Sequence, residues 1–459
     1  MGTPVITQKQ GAVAGLPAQA GRQPVPRGPR GALGRLRSQA QTPPGRLRLA
    51  GGVLAALVLL FGTVAAWQVA DRAVVASQVV SHSQPLSQDA AEIYRSLADA
   101  DTTAAGGFLL AGAEPPEIRK RYQDDLATAA RLLAQAAART GSSPEAQRSV
   151  AELNQQLPRY AGLVETARAN DRQGLPLGGA YLRYASKLMQ QTMLPNAQKL
   201  VDAEAEQLDR DQETASAYPL VALLLGLLAL GALARYQVVL FRRTNRVFNV
   251  GLVGASAAVL VAVVWLAAGS AAAGSALADS RQTGSRPLAE LNRVRISALQ
   301  AHAAENLNLV DRGSSDTYSK AWKTLADPLN GPSRQPGSVA WASEVAPSGA
   351  NAAMTEAGKQ FAAWQKRHQA AADQQASGDY DAALRATLSA TGGDTSDAAF
   401  KAMDEQFGKA AAVEQGRFEA AASGVGGSLE LLAVGAAVLA VGAAIGVVRG
   451  VGRRLAEYR

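Results

Sequence analysis

The sequence predicts an all-α membrane protein with four transmembrane helices and two extracytoplasmic antiparallel four-helix bundles. Three observations carry this. Segments 49–69, 219–234, 247–268 and 431–448 are apolar and free of charge, and a helix of about 20 such residues crosses a bilayer core. The long stretches between them repeat apolar residues at helical spacing: Val75, Val79, Ile93, Leu97, Ala104 and Phe108 fall on one face. Arginine, finally, collects on one side of the four spans.

That last asymmetry gives the wiring. Lys9, Arg22, Arg27, Arg30, Arg35, Arg37, Arg46 and Arg48 precede the first span. Arg235, Arg242, Arg243 and Arg246 lie between the second and third, and Arg449, Arg453, Arg454 and Arg459 follow the fourth. Only one acid, Glu457, accompanies these sixteen bases. Cytoplasmic flanks retain Lys and Arg, so both termini and the short turn are expected inside and the long stretches outside. The protein is therefore expected in the plasma membrane as a multi-pass chain. The net charge of +8 then reports contact with an anionic inner leaflet and membrane lipids. Nucleic acid is not expected as a partner, because no aromatic residue precedes Phe61 to stack on a base.

Taken in order, residues 1–46 form a basic cytoplasmic arm rich in Gly, Pro and Gln, with the composition of disorder. The first span covers 47–69. It is too long for the core of a signal peptide and reads as a retained helix. The first bundle covers 70–218, with Pro85 a kink site in helix one. Gly112-Ala-Glu-Pro-Pro116, Thr140-Gly-Ser-Ser-Pro144 and Gly174-Leu-Pro-Leu-Gly-Gly179 separate its four helices. The second span (219–241), a cytoplasmic turn (242–246) and the third span (247–269) follow. The second bundle covers 270–428, the fourth span 429–449, and a cytoplasmic tail 450–459. The absence of cysteine leaves helix packing alone to hold the outer parts.

The second stretch repeats the first. Pro85-Leu86 is echoed by Pro287-Leu288, and residues 159–174 resemble 363–378 at nearly the same offset, which argues for an internal duplication. The copy differs at 327–349, where Pro328, Pro332, Pro336 and Pro347 leave helix two short. A loop of that length is either disordered or a contact surface. In the spans, Gly254, Ala258 and Ala262, and Gly442, Gly446 and Gly450, form small-residue ladders on which helices pack closely.

No catalytic residue and no cofactor or metal ligand set is expected. His82, His302 and His368 are far apart in the chain, without carboxylates at zinc-ligand spacing. No phosphate-binding loop or nucleophile elbow occurs. The spans carry no acid or His of the kind that lines ion pathways. The cytoplasmic segments are too short to bury a catalytic core, so the chain is expected to be no enzyme. Partner or ligand contacts fall on Arg95, Arg119, Arg121, Arg183 and Trp341. Each of these arginines meets either a carboxylate ligand or acidic partner, or simply lies on a solvated helix face, the commoner outcome. Trp341, in the Pro-rich loop, suits a protein contact or covers the top of the bundle. The inner surfaces open to an output partner are Arg242, Arg243, Arg246, Arg453 and Arg454, which serve equally as anchors at the leaflet.

A span, a four-helix bundle and a second span resemble the sensor modules of bacterial chemoreceptors. The unit occurs twice here, at 49–241 and 247–459. The aromatic residue, Ala-rich helix and Gly-Asp turn from Trp364 to Gly378-Asp379 are similar to those modules. Tandem bundles, a basic arm and no output domain resemble the GlnX-type membrane signalling proteins of actinobacteria. The resemblance implies a non-enzymatic transducer between two partners. Outside stands an amino-acid-binding lipoprotein, and inside a cytoplasmic Ser/Thr protein kinase of the protein kinase G type. The alternatives are a sensor whose bundles bind a small ligand directly and a structural envelope protein. Homo-oligomers are left open. Reporter fusions placed after Gly178 and after Gly378 are expected to be active only outside the cytoplasm; a cytoplasmic signal from either would reverse the wiring.

Overall fold

Prolines and π-turns set where the helices of this chain bend and stop. The computed structural model describes residues 43–110, 114–139, 143–244, 249–280, 286–346, 348–388 and 393–456. Helix α1 (Pro43–Gln78) runs through a π-turn, Val79–Ser83, into α2 (Gln84–Leu109). Pro85 has no N–H to donate, and its ring crowds the carbonyl four residues back. The wider π-turn accommodates both. The device recurs where α5 (Leu177–Leu188) passes through Met189–Met193 into α6 (Leu194–Ser216), ahead of Pro195. Helices α3 (Pro116–Arg139) and α4 (Pro144–Arg172) begin on prolines, whose fixed φ suits a first turn. Ser143 caps α4 by accepting from the Ala146 amide at 3.3 Å.

The chain continues through α7 (Leu220–Thr244), α8 (Val250–Ser280), α9 (Arg286–Val310) and α10 (Thr317–Ala326). It ends with α11 (Val339–Val345), α12 (Asn351–Ala376), α13 (Tyr380–Thr387) and the 61-residue α14 (Ser396–Ala456). Among the described residues there is no strand. Four helical stretches are long and apolar enough to cross a membrane: Gly45–Leu109, Leu177–Arg242, Val250–Ala276 and Leu431–Arg453.

The apolar parts pack on one another. α14 lies along both α1 and α8, and α7 closes the ring against α1 and α8. Phe61, Leu233, Val259, Leu266 and Val447 fill the interior, while Leu224, Val264 and Val438 face outward. The expected small-residue ladders are only partly at the contact. Gly251 is the point of closest approach: a Cβ there would sit 2.6 Å from the Gly450 Cα and 2.7 Å from the Gly446 carbonyl oxygen. Around Gly254 and Gly442 a Cβ would meet nothing within 4 Å. The physical reason is the helical pitch. Steps of four residues drift by about 40° each, so a ladder with that spacing peels away from a straight seam.

The polar parts do not stay apart as two bundles. α2 and α9 lie side by side, with α3 and α6 against α2, and α10 and α14 against α9. Leu97, Leu133, Leu153 and Tyr160 from the first segment join Leu299, Trp364, Phe400 and Phe407 from the second in one core. The sequence reading gives α2 a single apolar face, whereas every residue from Ser96 to Gly107 is buried. Most of these side chains are small, so neighbours approach on all sides. Gln300 donates from Nε2 to the Tyr94 hydroxyl at 2.6 Å, and the Thr102 hydroxyl to the Leu299 carbonyl at 3.3 Å, tying α2 to α9.

The described part of the Pro-rich stretch is ordered and anchored to this core at a few points, while Pro328 and residues 332–336 stay exposed and keep the contact-surface alternative open; Pro347 lies outside the described residues. Pro328–Asn330 forms a short 3₁₀ turn. Ser338 caps α11 by accepting from the Trp341 amide at 3.0 Å and donates to the Pro332 carbonyl at 3.0 Å. The Gly337 amide, at φ +88°, donates to the buried Glu290 at 3.2 Å, and that φ favours glycine. Leu329, Val339 and Ala342 enter the core.

Packing at Gly251 gives a paired test. Gly251→Val should separate α8 from α14 and lower thermal stability in detergent by several degrees. Gly254→Val, one turn away on the open face, should leave it unchanged. Equal loss in both would remove the close contact as the cause.

Candidate functional site: the seam between the helical segments

Burying two helices on all sides also buries their polar side chains, and each must find a partner. On α2, Asp99 is 3% exposed and accepts from Arg121 of α3, with Nε at 3.0 Å and Nη2 at 2.9 Å. Such two-point contacts are the strong form of the pair. Arg95 bonds Glu92 at 2.8 Å and 2.5 Å and lies 3.8 Å from Asp99. Across the seam, Arg295 of α9 holds Asp404 of α14 at 2.5 Å and 3.0 Å. Asp125 of α3 is pushed up to about 8 by burial and by the neighbouring Asp99 carboxylate. Two residues further along α2, on the opposite side of the helix, Asp101 accepts from the Tyr160 hydroxyl at 3.2 Å, the Ser186 hydroxyl at 2.9 Å and Gln190 Nε2 at 3.0 Å. Gln190 belongs to the second π-turn, so that irregularity places an amide on a buried acid.

The second segment contributes a denser cluster. Glu305 of α9, 4% exposed, accepts from four groups. They are His302 Nδ1 at 2.9 Å, His368 Nδ1 of α12 at 2.9 Å, Trp364 Nε1 at 3.1 Å and the Ser396 hydroxyl at 2.5 Å. His302 Nε2 faces Asp397 at 3.4 Å, and Asp397 also pairs with Lys401 at 2.7 Å. Trp322 stacks on His368 at 3.6 Å, and Phe400 on His302 at 4.1 Å. Burial works against the charge on His302, but the two carboxylates outweigh it and raise the imidazole to about 9. Burial likewise opposes the charge on Glu305, yet the bonds from the two histidines hold it well below the usual carboxylate range. Among the described residues no three such groups are placed to hold a metal ion.

Asp99, Arg121, His302, Asn306, Asp397 and Lys401 meet around a cavity of about 30 Å³ at the seam, room for about one water. A larger cleft of about 620 Å³ opens between α5 on one side and α9 and α10 on the other.

The sequence candidates separate under this geometry. Arg95, Arg119 and Arg121 are held by acids of their own segment; Arg119 bonds Glu114 at 3.2 Å and 3.3 Å. Arg183 lines the large cleft, and Asp311, at 3.8 Å, is its acidic neighbour among the described residues. Trp341 is half-buried on α11 instead of exposed in a loop, because the capped turn folds it back. Arg242 is exposed at the end of α7. Arg453 lies exposed near the end of α14. Arg246 and the side chains of Arg243 and Arg454 lie outside the described residues. The histidine cluster was missed. His302 and Glu305 stand one turn apart, which is a local signal, but His368 and Ser396 reach Glu305 only through the packing of α12 and α14 on α9.

Residues 75–213 match the family model of the actinobacterial sensor domain. The match begins near the end of α1 and ends near the end of α6, so it takes in α2 and the Asp101 site. No curated protein and no solved structure is significantly similar to the chain.

The cluster makes stability depend on pH with a definite sign. His302 is raised, so its contribution is complete below about 6.5 and fades as pH rises through about 9. Asp125, also raised, acts in the same direction. Glu305 is lowered, so its contribution is present above about 4.5 and fades in stronger acid. The difference between wild type and His302→Gln isolates the imidazole. It should be about 1.5–3 kcal/mol near pH 6 and shrink towards pH 9, read by thermal unfolding. Glu305→Gln should cost about 3–5 kcal/mol, because it strands the charge on its neighbours.

Proposed function

We propose that this chain is a non-enzymatic transmembrane transducer of nutrient signals. An extracytoplasmic amino-acid-binding lipoprotein docks on its polar helical region. The change passes through the spans to a cytoplasmic Ser/Thr protein kinase of the protein kinase G type. The observation that carries this reading is the sensor-domain match over residues 75–213, coupled to helices that do not stop at the membrane. α1 runs through its π-turn into α2, forming one end of the matched segment. α5 and α6 lead into α7 across three residues at the other end. α14 joins the second segment to its span as one helix of about 90 Å. A rod of that kind passes tilt or translation across the bilayer.

Within this reading both polar segments lie outside, and the turn between α7 and α8, the arm and the tail lie inside. Packed elements with two discrete arrangements convert a small shift at one end into a large one at the other. The shared core makes the two segments answer as one body, since α2 cannot move without α9. The turn holding Arg242, Arg243 and Arg246 joins the two halves and would move with either.

Replacing Arg242, Arg243 and Arg246 by Lys tests the output. Lysine retains the charge that orients the spans but loses the planar two-point fork. Topology reporters should be unchanged while amino-acid-dependent phosphorylation by the kinase falls. Phosphorylation at the wild-type level would make the turn an anchor and place the output surface elsewhere. Crosslinking in intact membranes should capture a solute-binding lipoprotein on one side and a Ser/Thr kinase on the other; capture of neither would remove the relay.

A further inference from the structure

The cleft between α5 and the α9–α10 pair has the size of a small-molecule site, about 620 Å³, against roughly 300–1,000 Å³ for such pockets. Its charge is one-sided. Arg183 and Lys187, one helical turn apart on α5, line it, and no Asp or Glu does. These two cations differ from the others near the seam. Arg95, Arg119, Arg121 and Arg295 each make two bonds to a carboxylate. Lys187 is exposed and has no acidic partner among the described residues. Arg183 has only the 3.8 Å approach of Asp311, whose other oxygen is bonded by the Ser315 amide and hydroxyl.

The opposite wall is apolar at Leu307, Ala321 and Leu325, with Gln300 and Tyr318 as hydrogen-bonding groups. The floor is fixed. Ser186 and Gln190 line the cleft while donating to the buried Asp101 behind it, so the α5 wall is held in place from α2.

We propose that this cleft binds a short dicarboxylate, with one carboxylate on Arg183, the other on Lys187, and the methylene chain against Leu307 and Leu325. A free amino acid fits less well, because its ammonium group would face the cations with no acid in the lining. A dicarboxylate bound here bridges the two helical segments directly. The site needs both segments docked, which is why neither stretch of sequence alone displays it. The inference does not rest on the proposed partners, and its test uses neither of them.

The test is calorimetric titration of the purified full chain in lipid nanodiscs with succinate, glutarate and glutamate, followed in parallel by Trp fluorescence. Trp322 lies on α10, the helix that carries Tyr318, Ala321 and Leu325 of the cleft wall. Succinate or glutarate should bind at least about ten-fold more tightly than glutamate. Arg183→Gln and Lys187→Gln should each weaken binding by about ten- to a hundred-fold. Ala321→Phe, which fills the cleft without touching either cation, should abolish binding, and the unfolding temperatures of Arg183→Gln and Lys187→Gln should match the wild type. Absence of binding at about 10 mM overturns the proposal. So does binding that survives the double variant. Glutamate binding as tightly as the dicarboxylates overturns the ligand class.

Discussion

Everything in the polar half of this protein depends on α2 and α9 being buried on all sides. A helix packed on one face leaves its polar residues to water, and its neighbours remain independent. α2 has no such face from Ser96 to Gly107, so Asp99, Asp101, Thr102 and Thr103 go inside with the alanines. Small side chains permit that approach, and buried acids then demand partners. Arg121, Tyr160, Ser186 and Gln190 supply them from four different elements. On the other side of the seam Glu305 makes the same demand, which two histidines, a tryptophan and a serine meet.

Such an arrangement fixes geometry more than it adds stability. A buried ionic cluster is weak evidence of stabilisation in itself, because desolvation offsets most of the attraction. It does fix geometry, since each partner has one acceptable position. Ser186 and Gln190 tie α5 and the turn after it to α2, and His368 and Ser396 tie α12 and α14 to α9. The π-turn at 79–83 lies where α1 passes into α2, whereas the one at 189–193 is part of the seam itself, with Met189 and Met193 in its core and Gln190 on Asp101.

Much of the architecture was legible in the sequence. The breakers at 112–116 and 140–144 bracket the helix Pro116–Arg139, and the four apolar helices follow from hydropathy alone. Individual side chains were less legible. Arg119 and Arg121 read as a basic surface cluster, since the acids that take them, Glu114 and Asp99, lie on either side of a chain reversal. Trp341 read as an exposed loop residue because four prolines surround it, yet Ser338 and Gly337 turn that stretch into a capped helix against α9. The small-residue ladders were half right: spacing shows which residues share a stripe, but the crossing of two helices decides which of them touch.

Sequence by itself determined the helical class and the four apolar segments, because backbone hydrogen bonding in a helix is local and periodicity records its one requirement; the six helices from α9 to α14 exceed the four it assigns to the second stretch. Whether 70–218 and 270–428 form two bodies or one is a different kind of question. Alanine, glycine and threonine on α2 are compatible with a thin surface helix and with a deeply buried one. Only docking against α9 selects the second, through close approach that no spacing rule encodes. The same docking brings Glu305 to His368 and opens the cleft at Arg183. Contacts between residues some sixty to two hundred positions apart depend on the summed packing of many helices, and that sum is available only in three dimensions.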